Sequence, residues 1–182
     1  MATLGPLGSL DRLYRLDPRR TALVLIDLMD RIVAHQLAPH TGPEVVTASL
    51  KLAEDFRAVG ATVVAVRVER PGVTERPPGS ELLAEVEAAA DEVVVKRTIG
   101  AFQDTGLHEL LQARGVETLV FTGIATNLGV ESSARAAADR GYRLVFVEDA
   151  MTRLTEAEHR ASVDLDFPRL GEVVTAADLR LG

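Results

Sequence analysis

Six short runs rich in Val, Ile and Leu alternate along the chain with longer segments of helical character. The runs cover residues 22–27, 62–68, 93–97, 118–123, 143–149 and 172–176. Their apolar character is nearly continuous, which is typical of strands buried on both faces of a parallel sheet. Helices are predicted between them, over residues 43–59, 80–90, 105–114, 128–140 and 155–166. This alternation predicts a three-layer α/β/α sandwich around a six-stranded, mostly parallel, Rossmann-like sheet.

Length and composition narrow the possible classes of protein. A chain of 182 residues favours one domain over 1–182, with 1–20 as an N-terminal arm or extension. The sequence has no apolar run of membrane-spanning length and no basic start followed by an apolar core, so we expect a cytoplasmic protein without a membrane partner. A net charge of −7 without a basic run argues against nucleic acid. The absence of cysteine excludes disulfides, thiolate metal sites and thiol nucleophiles.

Charged residues end two of the apolar runs. Asp27 ends the first run and Lys96 lies near the end of the third. Taken alone, each has an ordinary structural explanation, a loop or capping carboxylate for Asp27 and a snorkelling side chain for Lys96. In doubly wound sheets, however, ligands bind at the carboxyl ends of the strands, where both residues are predicted to lie. A lysine beside an aspartate keeps the carboxylate ionised or holds a transferable proton between the two groups.

The stretches LVLIDLMD, VVVKRTIGAF and FTGIATNLGVESSARAAADRGYRLVFVEDA occur in this order between residues 21 and 174. In this combination the chain resembles the isochorismatase-like hydrolase superfamily. The resemblance implies a six-stranded parallel sheet with helices on both faces. Cysteine hydrolases of the superfamily use an Asp, a Lys and a Cys, which correspond here to Asp27, Lys96 and Gly129. It further implies a non-proline cis peptide at Ile124–Ala125, which would aim the Ala125 amide at a developing oxyanion or a carboxylate.

Gly129 is the main departure from the cysteine hydrolases, because it excludes thioester chemistry at that position. Isochorismatases proper are similar to this chain in having glycine there. Their hydrolysis of a vinyl ether is understood to need an acid and no covalent intermediate, and the resemblance implies that Asp27 is this acid, tuned by Lys96. Ser132 and Ser133 lie one helical turn further on and are interpreted as packing residues rather than substitute nucleophiles.

Metal binding has little support in the sequence. The Asp-x-His metal motif of nicotinamidases is missing, since the matching region reads RVERPG. The four histidines (His35, His40, His108 and His159) have no metal-ligand spacing and are interpreted as surface residues. No metal or cofactor is therefore expected.

Five residues are candidate substrate contacts. They are Ala125, Phe102, Arg67, Met29 and Asn127. Arg67, or alternatively Arg70, could hold a substrate carboxylate, with a salt bridge at the rim as the structural alternative. Phe102 matches a pocket position of the family, although core packing is the alternative. Met29 stands where the family often has glutamine, and Asn127 is also predicted to cap the helix that begins near Leu128.

Two functions from different classes follow from these residues. The first is a metal-independent hydrolase of a small metabolite, with acid/base chemistry by Asp27 and Lys96. The alternative is a catalytically silent family member that binds a small ligand or acts through assembly. The resemblance also implies a homodimer or homotetramer.

Overall fold

The computed structural model describes residues 14–73 and 75–182. Most of the predicted N-terminal arm, residues 1–13, therefore lies outside the described residues. The rest of this arm begins with β1 (Tyr14–Leu16), which pairs in parallel with β8 (Leu179–Leu181) in a separate two-stranded sheet. A 3₁₀ turn (Pro18–Arg20) then leads directly into the main sheet. This turn is capped by the side chain of Asp17, which accepts a hydrogen bond from the Arg19 amide at 2.9 Å.

The main sheet has six parallel strands in the order β4-β3-β2-β5-β6-β7. Its strands are β2 (Thr21–Ile26), β3 (Thr62–Val68), β4 (Glu92–Lys96), β5 (Thr118–Ile124), β6 (Arg143–Thr152) and β7 (Glu172–Val174). The predicted six-stranded α/β sandwich is thus confirmed, with strand ends that differ from the predicted ones by a few residues.

Seven helices flank the strands in the described part of the chain. They are α1 (Asp30–Val33), α2 (Gly42–Ala58), α3 (Ala84–Ala89), α4 (Leu107–Ala113), α5 (Glu131–Ala138), α6 (Glu156–Ala161) and α7 (Phe167–Leu170). A π-helical turn (Thr126–Val130) precedes α5, and a second one (Ser162–Asp166) joins α6 to α7. Within the described residues, no helix is long and apolar enough to cross a membrane.

Two apolar cores cover the two faces of the sheet, as the continuous apolar strands predict. On one face α2 and α3 pack on the sheet through residues such as Phe56 and Val86. On the other face α4, α5 and α7 surround an aromatic stack. In this stack the Phe146 ring lies between Phe121, at a centroid distance of 6.0 Å, and Phe167, at 3.9 Å.

The order of the strands decides where a ligand can bind. The chain reverses its direction of winding between β2 and β5, which lie next to each other with Ile26 paired to Gly123. A crevice opens at the carboxyl ends of strands at such a switch point. Gly123 has a φ of 115°, and a side chain there would overlap the backbone of Ile26. Glycine is therefore required where β5 and β2 approach each other beside the crevice.

Candidate active site

Asp27 follows β2 at the crevice and has an unusual backbone conformation. Its φ is 53°, in the left-handed region that few residues other than glycine adopt. The Asp27 amide donates to the Val66 carbonyl at 2.8 Å, and the Asp27 carbonyl accepts from the Met29 amide at 2.8 Å. These bonds hold the residue in a conformation that turns the chain sharply after the strand. Backbone strain of this kind concentrates at functional sites.

Lys96 ends β4 and reaches past the end of β3 to Asp27. Its Nζ lies 2.7 Å from Asp27 Oδ2 and donates to the Ile99 carbonyl at 2.6 Å. The side chains of Lys96 and Asp27 are only 1% and 8% exposed. Among the described residues, Asp27 Oδ1 has no hydrogen-bond partner although it is buried. One carboxylate oxygen is therefore held by Lys96, and the other is available to a ligand.

Burial controls the proton affinity of Asp27. Desolvation raises the pKa of this carboxyl above its ordinary value of 3.8, against the opposing charges of Lys96 and Arg31. A carboxyl group whose pKa is raised keeps its proton to a higher pH, which favours a role as a proton donor. The pair of Asp27 and Lys96 is therefore suited to acid/base chemistry.

Gly129 lies directly beneath this ion pair, in the π-helical turn. A Cβ atom at residue 129 would come within 3.0 Å of Lys96 Nζ and 3.1 Å of Asp27 Oδ2. Glycine therefore leaves room for the two charged groups to meet over the turn. The peptide bond between Ile124 and Ala125, at the entrance to this turn, is cis.

A cavity of about 520 Å³ opens above these residues. Asp27, Lys96, Gly129 and Ala125 all line it. Four arginines from separate segments of the chain also line it: Arg31, Arg70, Arg97 and Arg153. Among the described residues, Asp27 is the one acidic residue in its lining. The cavity therefore favours an anionic ligand.

Part of the exposed lining of this cavity is apolar. Ile99, Leu128 and Leu154 line it and are exposed by 59%, 42% and 50%. Large apolar side chains with this exposure are available to the uncharged part of a ligand. A lining that combines arginines with exposed apolar side chains suits a small organic anion.

A smaller cavity of about 380 Å³ adjoins the first and shares three of its arginines. Residues 69–73, 76 and 77 of a loop line it, and Arg76 adds a fourth guanidinium to this lining. Ser80 is 6% exposed, and its Oγ has no hydrogen-bond partner among the described residues. Glu69 is the one acidic residue that the described part of the chain contributes to this lining, and it pairs with Arg97 at 3.1 Å. The cationic character of the crevice thus continues into this smaller cavity.

Two of the arginines that line the main cavity were missed by the sequence interpretation. Arg31 lies in α1, which is only four residues long and too short to show helical periodicity. Arg153 directly follows β6, which continues to Thr152 rather than ending at the predicted residue 149. The rule that ligand sites follow strand ends would have selected Arg153 if the end of β6 had been placed correctly.

Of the five predicted substrate contacts, one lines the main cavity and the others do not. Ala125 lines the cavity, and so does Arg70, the alternative to Arg67. Arg67 does not line it and instead pairs with Glu69 at 2.8 Å. The Arg67 Nη1 atom in this pair is not oriented for a hydrogen bond. Its short distance to the Glu69 carboxylate nevertheless supports an ion pair.

The other three candidates also lie outside the lining of the main cavity. Met29 is fully buried in the core beneath α2. Phe102 is 5% exposed and packs against Tyr142, with the Arg140 guanidinium 5.3 Å above its ring. The capping prediction for Asn127 is wrong, because the helical turn begins at Thr126, two residues before Leu128, and places Ala125 at the N-cap.

The two serines of α5 have structural contacts. Ser133 donates to the Gly129 carbonyl at 2.5 Å and accepts from the Ala101 amide at 2.9 Å, so it ties the turn to the segment after β4. Ser132 packs against Gly100. Neither serine lines the main cavity. Their predicted role in packing agrees with these contacts.

The histidines differ in their surroundings. His35 is exposed at the rim of the cavity, whereas His159 has no exposed surface. The interpretation of all four histidines as surface residues is therefore wrong for His159, because α6 places this side chain in the interior, against Thr126 of the π-helical turn. In the described ranges, no three His, Asp or Glu side chains are grouped so that they could hold a metal ion.

Comparison with known proteins places this site in a family. Residues 21–178 match the family model of the isochorismatase domain. The isochorismatase family protein YecD of Escherichia coli O157:H7 is 35% identical over 186 residues, which cover 92% of this chain and 98% of YecD. The solved structure of an isochorismatase family protein from Burkholderia thailandensis is 36% identical, with a TM-score of 0.78, over 90% of this chain and 95% of that one.

A streptothricin hydrolase of Streptomyces noursei is 35% identical over 133 residues, which cover 71% of this chain and 48% of that protein. The matched domain includes both members of the buried ion pair and the turn beneath it. On these grounds the chain belongs to the isochorismatase family and is a hydrolase.

Proposed function

We propose that this hydrolase cleaves a small anionic metabolite by acid/base catalysis, without a covalent enzyme intermediate. The observation that carries the proposal is the buried pair of Asp27 and Lys96 directly above Gly129. A thiol is absent from the whole sequence, so the reaction must use groups other than a cysteine. Asp27 has the burial, the raised pKa and the unpartnered oxygen that a proton donor requires.

The proposed reaction begins with Asp27 protonated and Lys96 charged. For a vinyl ether, the O–H bond of Asp27 breaks as the terminal enol carbon gains the proton, and an oxocarbenium ion forms. Water adds to this cation and returns one proton to the Asp27 carboxylate. The resulting hemiketal then divides into a ketone and an alcohol. Lys96 remains an ammonium group and stabilises the carboxylate while it is ionised.

The arginines of the cavity support an anionic substrate. A guanidinium group presents several N–H donors in a plane that matches a carboxylate. Arg31 and Arg153 each have a buried Nε without a hydrogen-bond partner among the described residues. Burial of an unpaired donor is costly unless a ligand satisfies it. A carboxylate held by Arg31 or Arg153 would place the remainder of the molecule beside Asp27.

Turnover by wild type, Asp27→Asn and Asp30→Asn tests this proposal. The substrates to compare are isochorismate, nicotinamide and small N-carbamoyl compounds. Asparagine keeps the size of Asp27 and tolerates its positive φ but cannot donate a carboxyl proton. Asp30 is an exposed carboxylate at the start of α1 and provides the matched control.

We expect wild type and Asp30→Asn to hydrolyse the anionic vinyl ether at similar rates. Asp27→Asn should be slower by roughly 10²- to 10⁴-fold, the usual contribution of a general acid. Equal turnover by Asp27→Asn and wild type would overturn the acid role. Ligand binding by all three proteins without any turnover would instead support a silent member of the family.

A further inference from the structure

His159 is a buried titratable side chain that the proposed reaction does not use. It lies in α6, has no exposed surface and places Nδ1 2.8 Å from the Thr126 hydroxyl. Thr126 is the first residue of the π-helical turn and directly follows Ala125 at the cavity. The imidazole thus contacts the turn directly, through the hydroxyl group of its first residue.

The protons of this cluster can be assigned from its hydrogen bonds. The Thr126 hydroxyl lies 3.0 Å from the Thr152 carbonyl, which can only accept a hydrogen bond. The single hydroxyl proton is therefore directed to Thr152, and Nδ1 of His159 must donate to the hydroxyl oxygen. Both contacts are satisfied only when the imidazole carries its proton on Nδ1. Nε2 is then an unprotonated nitrogen, buried without a partner among the described residues.

This chain of bonds joins two walls of the cavity. Thr126 belongs to the turn over which the ion pair lies, and Thr152 immediately precedes Arg153. Glu158, the neighbour of His159 in α6, pairs with Arg153 at 3.3 Å. Two consecutive residues of α6 thus hold two parts of the cavity: His159 contacts the turn, and Glu158 contacts Arg153.

We propose that His159 is a positioning residue, which as a neutral imidazole protonated on Nδ1 fixes the backbone of the catalytic turn through Thr126. The effect on catalysis rests on the proposed function. The tautomer of His159 and its hydrogen bond to Thr126 do not depend on that function. His159 reaches the substrate only through Thr126, so its effect should appear in turnover rather than in substrate binding. Loss of the donor would leave the turn free to shift relative to Asp27 and Lys96.

Four variants separate the hydrogen bond from the bulk of the side chain. His159→Asn retains an N–H donor near the position of Nδ1, whereas His159→Leu removes it. Thr126→Ser retains the hydroxyl, whereas Thr126→Val removes it. With the substrate identified in the screen above, we expect the two removing variants to lose roughly tenfold in kcat with little change in KM, an effect of the size of one hydrogen bond. The two retaining variants should stay within about threefold of wild type.

¹⁵N NMR of wild type tests the tautomer independently of turnover. The resonances of His159 are assigned by their loss in His159→Leu, and we expect a protonated Nδ1 and an unprotonated Nε2 at pH 7. Amide hydrogen exchange of residues 125–130 should be faster in His159→Leu than in wild type and His159→Asn. A protonated Nε2, or unchanged exchange and kcat in His159→Leu, would overturn the inference. Absence of turnover in wild type would overturn only the proposed reaction, because the NMR results still decide the role of His159.

Discussion

Asp27 combines features that a purely structural aspartate seldom has. Its backbone is in the left-handed region, its carboxyl is buried and one oxygen lacks a partner among the described residues. Each of these features lowers the stability of the folded chain. Lys96 offsets part of the cost, since its ammonium group lies 2.7 Å away. The remainder is explained if the free oxygen exchanges a proton with a substrate.

Gly129→Ala tests whether the pairing of Asp27 with Lys96 requires that residue 129 has no side chain. The new Cβ would displace Lys96 Nζ and Asp27 Oδ2, which lie 3.0 and 3.1 Å from its position. We expect kcat/KM to fall by about tenfold or more, because the proton donor moves relative to the substrate. Stability should change little, since about 1 kcal/mol of helix propensity opposes an overpacking cost of about 1–3 kcal/mol. Steady-state kinetics and urea unfolding measure the two effects.

Ser132→Ala is the matched control, because Ser132 lies in the adjoining helix outside the lining of the main cavity. Its kinetics should equal those of wild type. Wild-type kcat/KM in Gly129→Ala would contradict the claim that the ion pair depends on glycine at this position.

The elements differ in how well the sequence predicts them. The six strands are confirmed because burial on both faces leaves a continuous apolar run that periodicity alone reveals. The helix ends are less well predicted, since the segment over 155–166 divides into α6 and a π-helical turn. The short helices α1 and α7, with four residues each, lack enough turns for a repeating pattern.

Helix α6 makes the stability of the protein depend on pH. A capping box between Thr155 and Glu158 fixes its first turn, and burial lowers the pKa of His159 from 6.5 to about 4. The nearby charges of His40 and Arg160 act in the same direction, and Asp164 opposes them.

At His159 the unfolded chain therefore binds more protons than the folded one between pH 4 and 6.5. The stability due to neutral His159 is complete above pH 6.5 and falls by roughly 3 kcal/mol as the pH decreases to about 4. Asp27 acts in the opposite sense, since its raised pKa favours folding at low pH.

Urea unfolding at several pH values between 4 and 7 isolates the contribution of His159 when wild type is compared with His159→Asn. The difference in unfolding free energy should change in this interval by the predicted amount. His35→Asn, which replaces an exposed histidine, should follow wild type. Parallel pH curves for wild type and His159→Asn would show that His159 is not buried as a neutral group.

The whole protein has a net charge of −7, whereas its main cavity is lined mainly by cationic rather than acidic side chains. Composition could not predict this, because Arg31, Arg70, Arg97 and Arg153 are far apart in the sequence and meet only when the strand ends converge. Asp27, Lys96 and Gly129 could be predicted to meet because each lies in a motif that resembles the isochorismatase-like superfamily, and Asp27 and Lys96 also lie at strand ends. The field of the cluster favours anions locally in spite of the overall charge. A homodimer or homotetramer, as the family resemblance implies, stays a prediction.

The central claim is that burial raises the pKa of the Asp27 carboxyl above its ordinary value, although the charge of Lys96 acts to lower it. ¹³C NMR titration of the aspartate carboxyl carbons tests it most directly, with the Asp27 resonance identified by its loss in Asp27→Asn. We predict a midpoint for Asp27 above the ordinary value of 3.8, and a still higher midpoint in Lys96→Met, because the opposing charge is removed. A midpoint at or below 3.8 in wild type would contradict the account, since Asp27 would then be an ordinary ionised partner of Lys96.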